Sequence, residues 1–192
     1  MLDTVSALLA SGKGILAANE SFPTIRKPFT ALHIPSTEDN RRAHRELLFT
    51  APGLGEFVSG PILFDKTNHQ TAANGASMSE VLAPRSIQPG IKVDAGKAVV
   101  PGIVFLWRGQ NDLVATQQLN AICRIGGAPR GLSCSFGRAL QNEALKTWKG
   151  SPVKVLAADA ALLHRARCSS LALKGRYSHH TESGALDQKA PA

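Results

Sequence analysis

Five short apolar runs mark this chain, at residues 14–18, 58–64, 91–93, 102–106 and 131–135, and the gap between the third and fourth constrains its fold most. A parallel strand pair needs a crossover of about a dozen or more residues. Only Asp94 to Pro101 separates these two runs, so they cannot be parallel neighbours. The link permits a tight antiparallel return or a gap left open in the sheet, and either exposes strand edges that invite association. Elsewhere the runs alternate with polar, helix-like stretches, the pattern of β/α units around a mainly parallel sheet. Pro61 falls inside the second run, where a central strand would lose a ladder hydrogen bond.

Two helices carry their own punctuation. Ser36-Thr37-Glu38-Asp39 reads as an N-cap with an acid at the third helical position, and Ala43, Leu47 and Leu48 supply one apolar face. Ser151-Pro152 reads as a cap followed by proline at the first helical position. Val155, Leu162, Leu163, Ala166 and Leu171 then fit a long amphipathic helix, which Gly175 ends. Residues 178–192 are polar, with little to bury, and are expected to be a disordered tail. The expectation is one domain over residues 1–177.

Hydrophobic residues make up 43% of the 192 positions and charged residues 19%, which suits a globular chain rather than a disordered one. The net charge of +8 would attract phosphates, but the basic residues are scattered and aromatics reach only 5%. That is thin for a base-stacking surface, so no nucleic-acid partner is expected. No apolar stretch approaches the ~20 residues of a membrane span. Met1-Leu2-Asp3-Thr4 lacks the start of a signal peptide, and a cytoplasmic protein is the simplest expectation. Cys123, Cys134 and Cys168 show no CxxC spacing. His164 and His179-His180 show no HExxH spacing, so neither a metal nor a cofactor is expected. Ser133 and Ser135 flank Cys134 without a nucleophile elbow. Gly126-Gly127 sits outside any GxGxxG or Walker pattern.

A set of segments in one order carries a resemblance. It begins with Gly12-Lys13-Gly14-Ile15-Leu16-Ala17-Ala18-Asn19-Glu20-Ser21, then Thr37-Glu38-Asp39-Asn40-Arg41-Arg42 through Arg45-Glu46-Leu47-Leu48. Ile62-Leu63-Phe64 and Pro89-Gly90-Ile91-Lys92-Val93-Asp94 follow. Gly102-Ile103-Val104-Phe105-Leu106 precedes Gly109-Gln110, Leu119-Asn120-Ala121-Ile122 and Phe136-Gly137-Arg138-Ala139-Leu140-Gln141. Ala144-Leu145-Lys146 and Arg165-Ala166 complete it. In this set the chain resembles class I fructose-bisphosphate aldolases over nearly its whole length to Tyr177. The family folds as a (β/α)₈ barrel with its site at the carboxyl ends of the strands. Against it the chain matches strands one, two and three, then strands seven and eight. The resemblance therefore implies an α/β fold, an incomplete (β/α)₈ TIM barrel with about five of eight units.

The resemblance also implies what chemistry is missing. Class I aldolases cleave fructose 1,6-bisphosphate to glyceraldehyde 3-phosphate and dihydroxyacetone phosphate through a lysine Schiff base that accepts the electrons of the breaking bond. In the family that lysine lies on strand six, with a helper lysine and carboxylates on strands four and five, all without a counterpart here. Lys92 corresponds to a lysine lining the family's site from strand three. Asn19 replaces the family's aspartate, and an amide cannot exchange protons near neutral pH. Gly137 and Arg138 resemble a phosphate clamp at a helix start. Gly109 remains in pattern after strand seven, whereas Trp107 and Arg108 stand where serine and glycine are usual. Thr24 and Lys27 match positions near the second phosphate, with Pro28 in place of an arginine. The expectation is an aldolase-like chain with impaired catalysis that binds a sugar phosphate weakly. Its alternatives are an enzyme completed by another lysine or a partner's strands, and a non-enzymatic module pairing with intact aldolase subunits or with itself.

Overall fold

In the computed structural model, residues 2–91, 102–106, 111–126 and 131–183 are described. Five strands form one sheet: β1 (Gly14–Ala18), β2 (Val58–Leu63), β3 (Gly90–Ile91), β4 (Gly102–Leu106) and β5 (Gly131–Phe136). The helices are α1 (Leu2–Leu8), α2 (Phe22–Ala31), α3 (Glu38–Thr50), α4 (Asp65–Asn68), α5 (Met78–Leu82), α6 (Asp112–Ile125), α7 (Arg138–Trp148), α8 (Val155–Leu173) and α9 (His179–Glu182). The strand order is β3-β2-β1-β5-β4, and every pairing is parallel. The first and last strands in the chain's two halves thus meet at β1, while β3 and β4 lie at opposite edges. Of the two arrangements the short link allows, the structure adopts the open gap. Among the described residues it is an arc of an α/β barrel with five strands, in keeping with about five of eight units.

Pro61 stays inside β2, opposite Leu16 of β1. The strand tolerates it because the neighbour on the other side is short: β3 pairs only with Ile62 and Leu63. Before that point the chain compensates with a single loop bond, Gln88 N donating to the Ser59 carbonyl at 2.9 Å. Gly60 is required here, since a Cβ would lie 2.4 Å from the Gln88 carbonyl oxygen. The β1–β2 register slips between Gly14 and Ile15, which frees Ser59 from the ladder. Its hydroxyl lies 2.8 Å from the Leu8 carbonyl and 3.2 Å from that of Gly14.

Alternation along β1 sends Gly14, Leu16 and Ala18 into the core, while Ile15 and Ala17 stay half-buried on the other face. The core joins those β1 side chains to Phe29 of α2, Leu48 and Phe49 of α3, Leu140 and Trp148 of α7, and Leu162 of α8. The cap of α3 falls one residue later than the sequence pattern indicates: Thr37 Oγ1 accepts from Asn40 N at 3.2 Å. Likewise Ser151-Pro152 opens a 3₁₀ turn, Pro152–Lys154, and α8 proper begins at Val155. Gly175 ends α8 with φ +67°, as its type predicts. Of the expected tail, Ser178 caps the short helix α9, and the residues after Ser183 lie outside the described part.

His44 is buried between Phe29 and Trp148, with ring centroids 5.6 and 5.9 Å away. Burial, aided by Arg45, pushes its imidazole down to about 3 from 6.5. The unfolded chain therefore takes up a proton below pH 6.5 that the folded chain refuses. Stability is expected to fall by about 1.4 kcal/mol for each pH unit below 6.5, until the folded value of about 3 is reached. Urea unfolding above and below pH 6.5 measures this, and His44→Leu should flatten the acid limb. An unchanged limb in the variant would assign the slope to other groups.

Candidate functional site

A cleft of about 590 Å³ opens on the half-buried face of the sheet, at the carboxyl ends of the strands. Ala17, Ile62, Leu106 and Ser135 form its floor. They belong to four strands and sit in register as the pairs Ala17–Ile62 and Leu106–Ser135. Asn19 and Glu20 enter from the end of β1, Thr24, Lys27 and Pro28 from α2, and Gly137, Arg138 and Gln141 from the start of α7. Five residues singled out in the sequence, Asn19, Thr24, Lys27, Gly137 and Arg138, thus line one cavity. The other two, Lys92 and Gly109, lie outside the described residues, as do Trp107 and Arg108.

Gly137 holds α7 against β1: a Cβ there would meet the Ala17 carbonyl oxygen at 3.2 Å. This close approach brings Gln141, one turn into α7, over the strand end. Its Nε2 donates to the Ala17 carbonyl at 2.5 Å and to Glu20 Oε1 at 3.0 Å. From the opposite side, buried Arg45 of α3 donates through Nε to the Ala18 carbonyl at 3.3 Å. Its Nη2 donates to the Glu20 carbonyl at 2.8 Å. Three backbone carbonyls at the end of β1 are therefore held by two side chains from different helices.

Glu20, Gln141 and Ser135 were not anticipated as site residues. Glu20 stands beside Asn19 in the quoted motif, and Gln141 sits one helical turn past Gly137, so the spacing held the signal. Burial raises the Glu20 carboxyl above its ordinary 4.5, against the pull of its own backbone hydrogen bond, Arg45, Gln141 and Arg138. Ser135 Oγ is buried with no hydrogen-bond partner among the described residues. A buried hydroxyl left so costs free energy unless water or a ligand completes it.

The site has the elements of an anion cleft: two exposed cations, Lys27 and Arg138, and the start of the eleven-residue α7. The family model for class-I fructose-bisphosphate aldolase, described as glycolytic, matches residues 1–99 and 97–191. The chain belongs to the class I fructose-bisphosphate aldolases. Fructose-bisphosphate aldolase 1, chloroplastic, of Chlamydomonas reinhardtii is 27% identical over 330 residues, covering 95% of this chain and 87% of that protein. A probable class 1 aldolase of Xanthomonas campestris pv. campestris is 46% identical over 103 residues, 54% of this chain and 31% of its own length. The solved fructose-bisphosphate aldolase of Plasmodium falciparum, in complex with TRAP and a small-molecule inhibitor, superposes with a TM-score of 0.87. At 24% identity it covers 92% of this chain and 94% of its own, and it establishes the barrel fold. Among the described residues no helix is long and apolar enough to cross a membrane.

The raised Glu20 pKa carries a prediction for this aldolase-family cleft. The folded chain holds the carboxyl proton more tightly than the unfolded chain does. That contribution is fully present below pH 4.5 and is lost as pH rises through the higher folded value. Glu20→Gln keeps the acceptor for Gln141 and removes the charge. Its stability relative to the parent should rise with pH above 4.5, as read by urea unfolding across the range. Parallel pH profiles for parent and variant would contradict it.

Proposed function

We propose that this chain is an aldolase-family protein that keeps a sugar-phosphate cleft but has lost Schiff-base catalysis. The observation that carries the reading is the sheet order. β3 and β4 are the two edges of the arc, and the family resemblance puts the catalytic lysine on a strand that would stand between them. Among the described residues the lysine in the cleft is Lys27, which comes from α2 rather than from a strand. Asn19 supports the same reading, because its amide cannot move a proton near neutral pH.

Phosphate recognition has better support. A phosphate at Gly137 would meet the N–H groups of the first turn of α7, the Arg138 guanidinium and, across the cleft, Lys27. Thr24, hydrogen-bonded to the Ser21 hydroxyl at 3.0 Å, and the Ser135 hydroxyl, which has no partner among the described residues, add neutral donors. Glu20 opposes an anion, and Pro28 offers no donor where the family resemblance expects an arginine. The balance favours a weak ligand with one phosphate well held.

Borohydride reduction with dihydroxyacetone phosphate, read by intact mass, tests the first half. The expected result is no stable adduct on a chain with a folded circular dichroism spectrum. An adduct mapped to one lysine would restore the enzyme reading. Titration with dihydroxyacetone phosphate tests the second half. Arg138→Ala should weaken binding about tenfold, the size of one charge-assisted hydrogen bond. Equal affinity for parent and variant would remove the clamp.

A second reading, an interaction module that pairs with intact aldolase subunits, is favoured by the open edge of β4, where Leu106 is 67% exposed. Size-exclusion chromatography of this chain mixed with a full-length class I aldolase separates the two readings. A mixed complex supports the module, and independent elution leaves the cleft as the seat of function.

A further inference from the structure

On the outer layer, away from the sugar-phosphate cleft, α8 meets α9. His164 and Cys168 stand one turn apart on α8, a spacing that puts both side chains on one helix face. Glu182, in the last turn of α9, closes over them. Among the described residues these three place their donor atoms, an imidazole nitrogen, a thiol sulfur and a carboxylate oxygen, within 4.8 Å of one another. His164 Nε2 and Cys168 Sγ are 3.7 Å apart. Two such ligands on one tetrahedral zinc, at ~2.0–2.1 Å for nitrogen and ~2.3 Å for sulfur, are separated by about 3.5 Å. The pair is thus nearly at ligand spacing without any rearrangement of the helix.

The surroundings hold the third ligand in place. Arg165 Nη1 donates to Glu182 Oε1, and the Tyr177 hydroxyl donates to Oε2 at 2.6 Å. Arg165 is itself anchored by the Thr116 hydroxyl at 2.6 Å and the Asp112 carbonyl at 3.0 Å. Hydrogen bonds of this kind orient ligating carboxylates in metal sites and leave each oxygen a second lone pair. They also keep Glu182 compensated when no cation is present, so the fold does not depend on one. His164, Arg165 and Glu182 line a cleft of about 490 Å³ shared with Asp112, Asn142 and Lys146, which gives a path from solvent and room for a water ligand.

We propose that His164, Cys168 and Glu182 bind one divalent transition-metal ion of the zinc type, fastening α9 to α8. The donor set selects the class: thiolate with imidazole favours zinc and its neighbours over magnesium or calcium, which prefer all-oxygen shells. Three protein ligands leave a fourth position for water. Sequence spacing could not reveal the site, because the third ligand lies beyond a turn and belongs to a short separate helix. The site is independent of the sugar-phosphate reading, since none of its ligands lines that cleft.

Cobalt(II) is the probe, added to the full chain and followed by its thiolate charge-transfer absorption, with zinc-induced change in Tm as a second readout. One equivalent of Co²⁺ should produce the band, and excess Zn²⁺ should displace it and raise Tm. Cys168→Ser should abolish the band while the circular dichroism spectrum stays folded. His164→Gln, at a half-buried position that burdens the core less, should weaken Co²⁺ binding tenfold or more and serves if the cysteine variant does not fold. The exposed pair His179 and His180 provides the control: His179→Gln/His180→Gln should leave the band and its affinity unchanged. A band that persists in Cys168→Ser, or one lost in the His179/His180 variant, would overturn the assignment. So would the absence of any band in the parent chain.

Discussion

Everything in this molecule hangs on β1. It is the strand where the two parts of the chain on either side of the short link are joined, paired with β2 on one side and β5 on the other. The β1–β5 ladder is brief, holding only Ile15 opposite Ser135 and Leu16 opposite Phe136. Side chains extend it at both ends. Ser133 Oγ donates to the Lys13 carbonyl at 3.1 Å, and Gln141 Nε2 reaches the Ala17 carbonyl. Gly14 allows the approach, since a Cβ would lie 2.7 Å from Cys134 Sγ. Long α8 then covers the seam from outside, packing on α3, α6 and α7. An arc of five strands can hold together because its middle, not its edges, carries the core.

The same seam builds the site. A strand that ends beneath a helix start leaves backbone carbonyls in a partly dry place, and each must find a donor. Arg45 and Gln141 answer that need from opposite flanks, and in doing so they fix where Asn19 and Glu20 stand. These bonds and the nearby Glu20 charge, which opposes the loss of hydration, offset the burial of Arg45. The positive cleft and the buried acid are two consequences of one packing problem. On the proposed phosphate reading, the start of α7 and the carboxylate beside it are therefore in tension, and the charge on Glu20 would set how well the cleft holds an anion.

Much of this was legible before any coordinates. Four of the five apolar runs became strands with bounds shifted by at most a residue, because each is short, apolar and flanked by polar sequence, while the third meets β3 at Ile91 and its last two residues lie outside the described part. The brevity of the link between the third and fourth runs announced that they could not be parallel neighbours, but the choice between an antiparallel return and an open gap needed the strand order. Capping was harder. Ser36 and Thr37 are both competent N-caps, and only the path of the chain selects Thr37. Pro61 misled for a different reason: its cost depends on how far the neighbouring strand extends, which no local pattern records. Asn19, Thr24, Lys27, Gly137 and Arg138 were singled out through the resemblance and line one cleft, whereas Ser135 required knowing which face of the sheet is open. The His164–Cys168–Glu182 cluster was invisible for want of a second cysteine and because its acid arrives from another helix.

The open order of the sheet also changes what its inner face must do. In a closed barrel, side chains on that face fill the interior in layers and are buried from all sides. Here Ile15, Ala17 and Ile62 remain half-buried, and Leu106 on the β4 edge is largely exposed. The opposite face has no such deficit: Leu16, Ala18, Phe29 and Leu48 are fully enclosed by the helices. Stability therefore resides in the sheet–helix layer, which the arc keeps intact, and not in the barrel interior, which it gives up. That division lets an open arc shape a cleft at the carboxyl ends of its strands. It also locates the weakness, because Leu106 on the β4 edge is the large apolar side chain of this face that stands most open to solvent.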